Sequence, residues 1–310
     1  MFNPITSTSA YKIIKADKES GSLSHAYLVT CSDDVMLESY LIELSKLIVC
    51  GEDTSAESVR AAGLIEKKMH PDVGFYPKEK KLSVANADEI IAQSVVKPLE
   101  LNMRLFVMNK FEELAQYQNK LLKTLEEPPK NVVLLMGSVN DSAVLSTVKS
   151  RSKILSVPLF SERQLIEALK GEYTDREKLS VAVALSGGRL GQAKRFYESD
   201  MTIRLYNTCV DLIDKMNKAQ DVLRYAAILK NFDIKDVISA LKVVCGKILG
   251  GEKQFEPLAV RYRPAVFIAV VERLGKLEKT VNFNGNATMV IDRLLFAVME
   301  EKSRWQRLSV

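Results

Sequence analysis

Cysteine is scarce in this chain and shows no pairing. Cys31, Cys50, Cys209 and Cys245 are scattered without metal-ligand or disulfide spacing. Structural zinc and disulfides are therefore not expected, and reduced, mostly buried thiols fit a cytosolic protein. No apolar run reaches the length needed to span a bilayer, and the opening MFNPITSTSAYK has no apolar core of a secretory signal. A large excess of one charge is missing too. The 44 Lys and Arg against 39 Asp and Glu leave a formal charge of +5 over 310 residues. That balance permits nucleic-acid contact without indicating it. There is no arginine-rich tract and no aromatic platform for stacking bases, so any DNA contact is expected at phosphates. The reading from these absences is cytoplasmic, with no membrane segment. The length allows two or three domains.

What is present is a pattern of short apolar runs between helical stretches. Residues 9–19 read as an amphipathic helix, Leu23–Thr30 as a first buried strand and Val35–Val49 as a helix continuing to Cys50. Strands are expected at Val73–Tyr76, Arg104–Met108, Asn131–Gly137 and Lys153–Val157, with helices at Val84–Val96 and Leu114–Glu127. The last of these carries Leu114, Leu121, Leu122 and Leu125 on one face and stops at Pro128–Pro129. Five strands with intervening helices make an α/β first domain. From Ser161, a plausible N-cap for Glu162–Leu169, the chain reads as helical to its end. Ala182–Arg195 is a glycine-broken helix–turn–helix. Helices follow at Thr202–Asn217, Gln220–Lys230, Ile234–Leu249 (stopped by Gly250–Gly251), Ala265–Thr280 and Asn286–Lys302. Asn286 suits an N-cap, and Met289, Ile291, Leu294, Leu295 and Val298 suggest a buried seam. His70, with no partner ligand near it in sequence, is expected to be a hydrogen-bonded structural histidine.

The run Leu121-Leu122-Lys123-Thr124-Leu125-Glu126-Glu127-Pro128-Pro129, followed by Ser150-Arg151-Ser152, closely resembles bacterial clamp-loader subunits of the AAA+ ATPase family. The resemblance implies an AAA+ RecA-like P-loop NTPase fold over residues 1–160. A small helical lid over 161–202 and an all-helical collar over 203–310, through which five subunits form a ring, would follow. In that family the strand His25-Ala26-Tyr27-Leu28 leads into the phosphate-binding loop, Gly-x-x-x-x-Gly-Lys-Ser/Thr, whose backbone N–H groups cradle phosphates. Here Cys31 and Met36 replace the glycines, Leu37 the lysine and Glu38 the hydroxyl residue. Asp33 and Asp34 add carboxylates where phosphates would lie, and charges about 4 Å apart interact by roughly 1–4 kcal/mol between water and protein surface. An ordinary strand–turn–helix is the bland alternative. After the third strand, Asn109 and Lys110 stand where the magnesium and base carboxylates belong, and Glu112 and Glu113 read as first-turn helix acids. The register puts Gly191 at the lid arginine, with Arg189 two residues away. Cys50 stands alone where the family has four zinc cysteines, Val59, Ala62 and Ile65 taking the other places, so the metal is expected to be lost.

Ser150–Arg151 is retained. The resemblance implies that Arg151 acts as a trans arginine finger in a neighbouring subunit's ATP site, a task that suits a permanently charged, two-pronged guanidinium. The alternative is a surface arginine paired with a local carboxylate. Together these residues lead us to expect a subunit without ATPase or polymerase activity of its own, with ATP and magnesium held by neighbouring motor subunits. The implied partners are tau/gamma and delta clamp-loader subunits and, indirectly, the sliding clamp and primed DNA. An active tau/gamma-type motor and an AAA+-shaped scaffold outside replication are the competing readings.

Overall fold

The computed structural model describes residues 4–281 and 287–307. Contacts divide the chain into two compact units, residues 1–168 with 189–191, and residues 169–188 with 192–310. The first unit is built on five strands: β1 (Ala26–Cys31), β2 (Val73–Tyr76), β3 (Arg104–Met108), β4 (Val132–Ser138) and β5 (Lys153–Val157). All pairings are parallel, in the order β2-β3-β4-β1-β5. Every residue of β3 and β4 is buried, as their unbroken apolar runs require of central parallel strands. At the edge, β5 is exposed at Lys153, Ile154 and Ser156. This is a five-stranded parallel α/β sheet, in keeping with the fold class that the resemblance implied.

Helix α1 (Ser9–Glu19) starts where the Thr8 hydroxyl accepts the Tyr11 N–H. Helix α2 (Leu37–Cys50) lays Leu37, Leu41, Leu44 and Ile48 against the sheet. Gly137 makes room for it: a Cβ there would lie 2.6 Å from Leu41 Cδ1 and 3.0 Å from Leu37 Cδ1. Helix α3 (Ala56–Glu66) spans the positions of Val59, Ala62 and Ile65. Cys50 Sγ, ahead of it, donates to the Ser58 carbonyl at 3.4 Å. Helix α4 (Val84–Ser94) opens with a Ser83–Asn86 capping box.

The expected helix 114–127 is not one helix. Phe111–Leu121 is wound as 3₁₀ turns, broken at Ala115 (φ 44°, ψ −121°), and only α5 (Leu122–Glu126) is α-helical. The apolar face is real, with Leu114, Leu121 and Leu125 buried. Buried Gln118 sets the tighter path by donating to the Ala143 carbonyl and accepting the Leu145 N–H, both at 2.9 Å. After β4 come α6 (Ser146–Lys149), β5 and α7 (Glu162–Leu169). Ser161 accepts the Gln164 N–H at 3.3 Å as an N-cap.

His70 and Asp72 order the entry to β2. The buried His70 ring accepts the Asp72 N–H at Nδ1, 3.1 Å away. Buried Asp72 accepts three backbone N–H groups, from Leu99, Glu100 and Leu101, at 2.7–2.8 Å. Burial alone would raise its pKa, but those three donors and Arg104 hold it below the usual carboxylate value.

In the second unit, α8 (Arg176–Leu185) and α9 (Leu190–Glu198) flank Gly187 and Gly188, both at positive φ. Six more helices follow: α10 (Thr202–Lys215), α11 (Ala219–Leu229), α12 (Ile234–Leu249), α13 (Glu256–Arg261), α14 (Pro264–Val281) and α15 (Ala287–Arg307). Their apolar faces form one core around Leu212, Val237, Leu241, Val244, Phe267 and Leu294. The seam expected on the last helix holds at Ile291, Leu294, Leu295 and Val298, but Met289 is 55 % exposed. Asn286 lies outside the described residues. Buried Lys302 on α15 donates to the carbonyls of Ile213 and Met216 at 2.7 and 2.8 Å. It thereby satisfies acceptors that the end of α10 leaves over. Among the described residues, no helix is long and apolar enough to cross a membrane.

Candidate functional site

In an open parallel sheet, ligands are taken at the carboxyl ends of the strands. Here that edge carries Cys31 at the end of β1, Asn109 after β3 and Val139 after β4. The β1–α2 turn is knitted to itself. Asp33 N–H donates to Cys31 Sγ at 3.4 Å, and the Leu37 N–H donates to the Asp33 carbonyl at 3.0 Å. Burial pushes the Cys31 thiol up to about 11. The Asp33 side chain is buried, and its Oδ2 accepts the Gly191 N–H at 2.7 Å. The fit at Gly191 is close, since a Cβ there would lie 2.5 Å from Val35 Cβ and 2.7 Å from Asp33 Oδ1. That Oδ1 is buried without a partner. Burial, opposed in part by the Gly191 N–H, raises the Asp33 pKa. Asp34, by contrast, is exposed beside this turn.

Leu37, in the lysine's place, is wholly buried under the sheet. Met36 begins α2 without a side-chain cap, and Glu38 pairs with Lys68 on the surface. Arg189 Nε donates to the Ser32 carbonyl at 3.1 Å, so an arginine does reach this turn, from two residues before the expected register.

At the end of β3, the Asn109 N–H donates to the Tyr76 carbonyl at 2.8 Å and its Oδ1 is buried and unpartnered. Lys110 takes a left-handed conformation (φ 55°) that turns the chain into the 3₁₀ stretch. Glu112 and Glu113 do stand in its first turn. They also do something the sequence did not disclose: Glu112 accepts the Val139 N–H at 3.1 Å and Glu113 the Leu82 N–H at 3.4 Å, fastening this segment to two others.

Arg151 follows α6 and stands apart from that turn in its bonding. Its Nη1 donates to the Thr147 carbonyl at 3.0 Å and the Ser150 hydroxyl at 3.2 Å. Its Nη2 lies 2.6 Å from Glu126 Oε1, with the arginine side chain 34 % exposed. The local carboxylate partner foreseen for a surface arginine is thus present, and it comes from the Leu-Leu-Lys-Thr-Leu-Glu-Glu-Pro-Pro run. Ser150 is exposed and donates to the Thr147 carbonyl at 3.1 Å.

The sequence profile of the family described as DNA polymerase III, delta subunit, matches residues 6–161, just over half of the chain. The chain belongs to this DNA polymerase III delta-subunit family. It is 24 % identical over 200 residues to the DNA polymerase III delta-prime subunit of Escherichia coli, covering 61 % of this chain and 59 % of that protein. It is also 23 % identical over 154 residues to the DNA polymerase III gamma subunit of Buchnera aphidicola from Acyrthosiphon pisum, covering 48 % and 43 %. The chain thus spans about half the length of these curated relatives. A solved gamma subunit-related protein from Thermotoga maritima superposes over 93 % of this chain and 99 % of its own, with TM-score 0.46 and 15 % identity.

In this member of the delta-subunit family the residues at the β1–α2 turn do not fit a magnesium–nucleotide. The turn has no lysine. Asp33 is engaged with Gly191, and the residue after β3 is an amide. Among the described residues, no group of three or more His, Cys, Asp or Glu is placed to hold a metal ion.

Proposed function

We propose that this chain is a delta-prime-type clamp-loader subunit that does not hydrolyse ATP and lends Arg151 to the ATP site of a neighbouring motor subunit. Its partners in this reading are tau/gamma and delta subunits, in a hetero-oligomer that loads the sliding clamp on primed DNA in the cytoplasm. Polymerase activity belongs to other subunits of the holoenzyme. The observation that carries the reading is the divergence of two parts of one sheet unit. Leu37 is sealed under the sheet where a phosphate-binding lysine would be needed, while the Arg151 guanidinium stays accessible on the surface. A guanidinium placed against a transferring phosphoryl group is worth about 10³–10⁵ in rate in GTPase systems.

A gamma-type ATPase is the second reading, favoured by the likeness to the Buchnera gamma subunit. Two measurements on the purified wild-type chain separate the readings. No ATP turnover alone, together with co-elution with gamma and delta subunits, is expected. Turnover by the isolated chain would favour the motor. Failure to associate with either subunit would favour a scaffold outside replication.

A further inference from the structure

The Arg151 guanidinium is gripped from two sides. Thr147 and Ser150, on its own turn, take Nη1, and Glu126, from the end of α5, takes Nη2. A guanidinium has five N–H donors. Two on Nη1 and one on Nη2 are engaged, which leaves the Nε–H and one Nη2–H for phosphate oxygens. The Glu126 backbone sits on an anchored turn. It closes α5, whose Thr124 and Leu125 are buried, and the Glu127 N–H bonds back to the Lys123 carbonyl at 2.9 Å.

We propose that Glu126 is the positioning residue for Arg151: its carboxylate fixes the orientation of the guanidinium before the neighbouring ATP site arrives. The inference rests on the reading of Arg151 as a trans finger. Arginine is among the side chains that lose the most freedom on ordering, and a side chain already held loses less of it on binding. The pair is too exposed, at 34 % and 49 %, to matter much for folding. Its use lies in orientation. It also assigns a task to one acid of the Leu-Glu-Glu-Pro-Pro run that the functional reading above leaves idle.

The test uses the complex reconstituted from this chain with its ATPase and delta neighbours, with clamp- and DNA-stimulated ATP hydrolysis measured against ATP concentration. Glu126→Ala is expected to lower kcat about three- to tenfold with KM for ATP within about twofold, a size typical of coupling between contacting residues. Glu126→Gln, which keeps an oxygen acceptor, is expected to restore most of the rate. In the Arg151→Ala background, Glu126→Ala is expected to add no further loss. Should the alanine variant fail to fold or assemble, Glu126→Asp, whose carboxylate stands one methylene short, is expected to give a smaller loss in kcat. A normal or raised rate for Glu126→Ala (or for Glu126→Asp in that event), beside a slow Arg151→Ala, would overturn the positioning role and leave the finger standing. An unchanged rate for Arg151→Ala would overturn the finger, and the positioning role with it.

Discussion

Asp72 shows how much one carboxylate can organise. Its two oxygens take the N–H groups of Leu99, Glu100 and Leu101, and an amide in its place would set donors against donors. Asp72→Asn is expected to cost about 1.5–3 kcal/mol in urea unfolding at pH 7, the range for hydrogen bonds to a charged group. Its folded pKa lies below the ordinary value, so its contribution is complete at neutral pH and lost as pH falls below about 4. The variant should lack that acid limb. Lys302 acts in the alkaline range, where its folded state prefers the neutral amine. Burial lowers its pKa to about 8 from an ordinary 10.5, so between those values the unfolded chain binds the extra proton and stability rises with pH. Comparing wild type with Lys302→Met at intervals from pH 7.5 to 10.5 isolates this effect. A constant difference between the two would show that the buried ammonium does not titrate in that window.

At the scale of elements, Ala115 is the strained joint of the segment between β3 and α5. A backbone at φ 44° and ψ −121° suits glycine. Ala115→Gly is expected to raise stability by up to about 1 kcal/mol, read as an increase in Tm. A fall would mean that the joint is not strained. This segment also marks the limit of what the sequence discloses. Strands β2, β3 and β5 lie where the apolar runs placed them, because punctuation by polar residues, glycine and proline is local. The helix expected over 114–127 failed because Glu112, Glu113 and Gln118 bond to backbone far along the chain, and no local periodicity reports such bonds. The replacements at Leu37, Asn109 and Lys110 were legible as residue types. That Asp33 would be bound by Gly191, 158 residues on, or Arg151 by Glu126, was not. Those pairings exist only once the chain has folded. The same holds for Met289, whose spacing matches the buried seam although its side chain faces out.

For the molecule as a whole, an α/β sheet unit and a helical unit occur in one chain of the DNA polymerase III delta-subunit family. The sheet unit joins a nucleotide turn ill suited to ATP to an accessible arginine. In the function proposed above, the chain contributes to hydrolysis only through a neighbour. Stimulated ATP hydrolysis by the reconstituted loader, wild type against Arg151→Ala, tests this most directly. At least about a tenfold loss of rate is expected on replacing the arginine, a conservative bound beside the effects of fingers in GTPases, with assembly unchanged. An assembled complex that hydrolyses ATP at the wild-type rate without the Arg151 guanidinium would contradict the account.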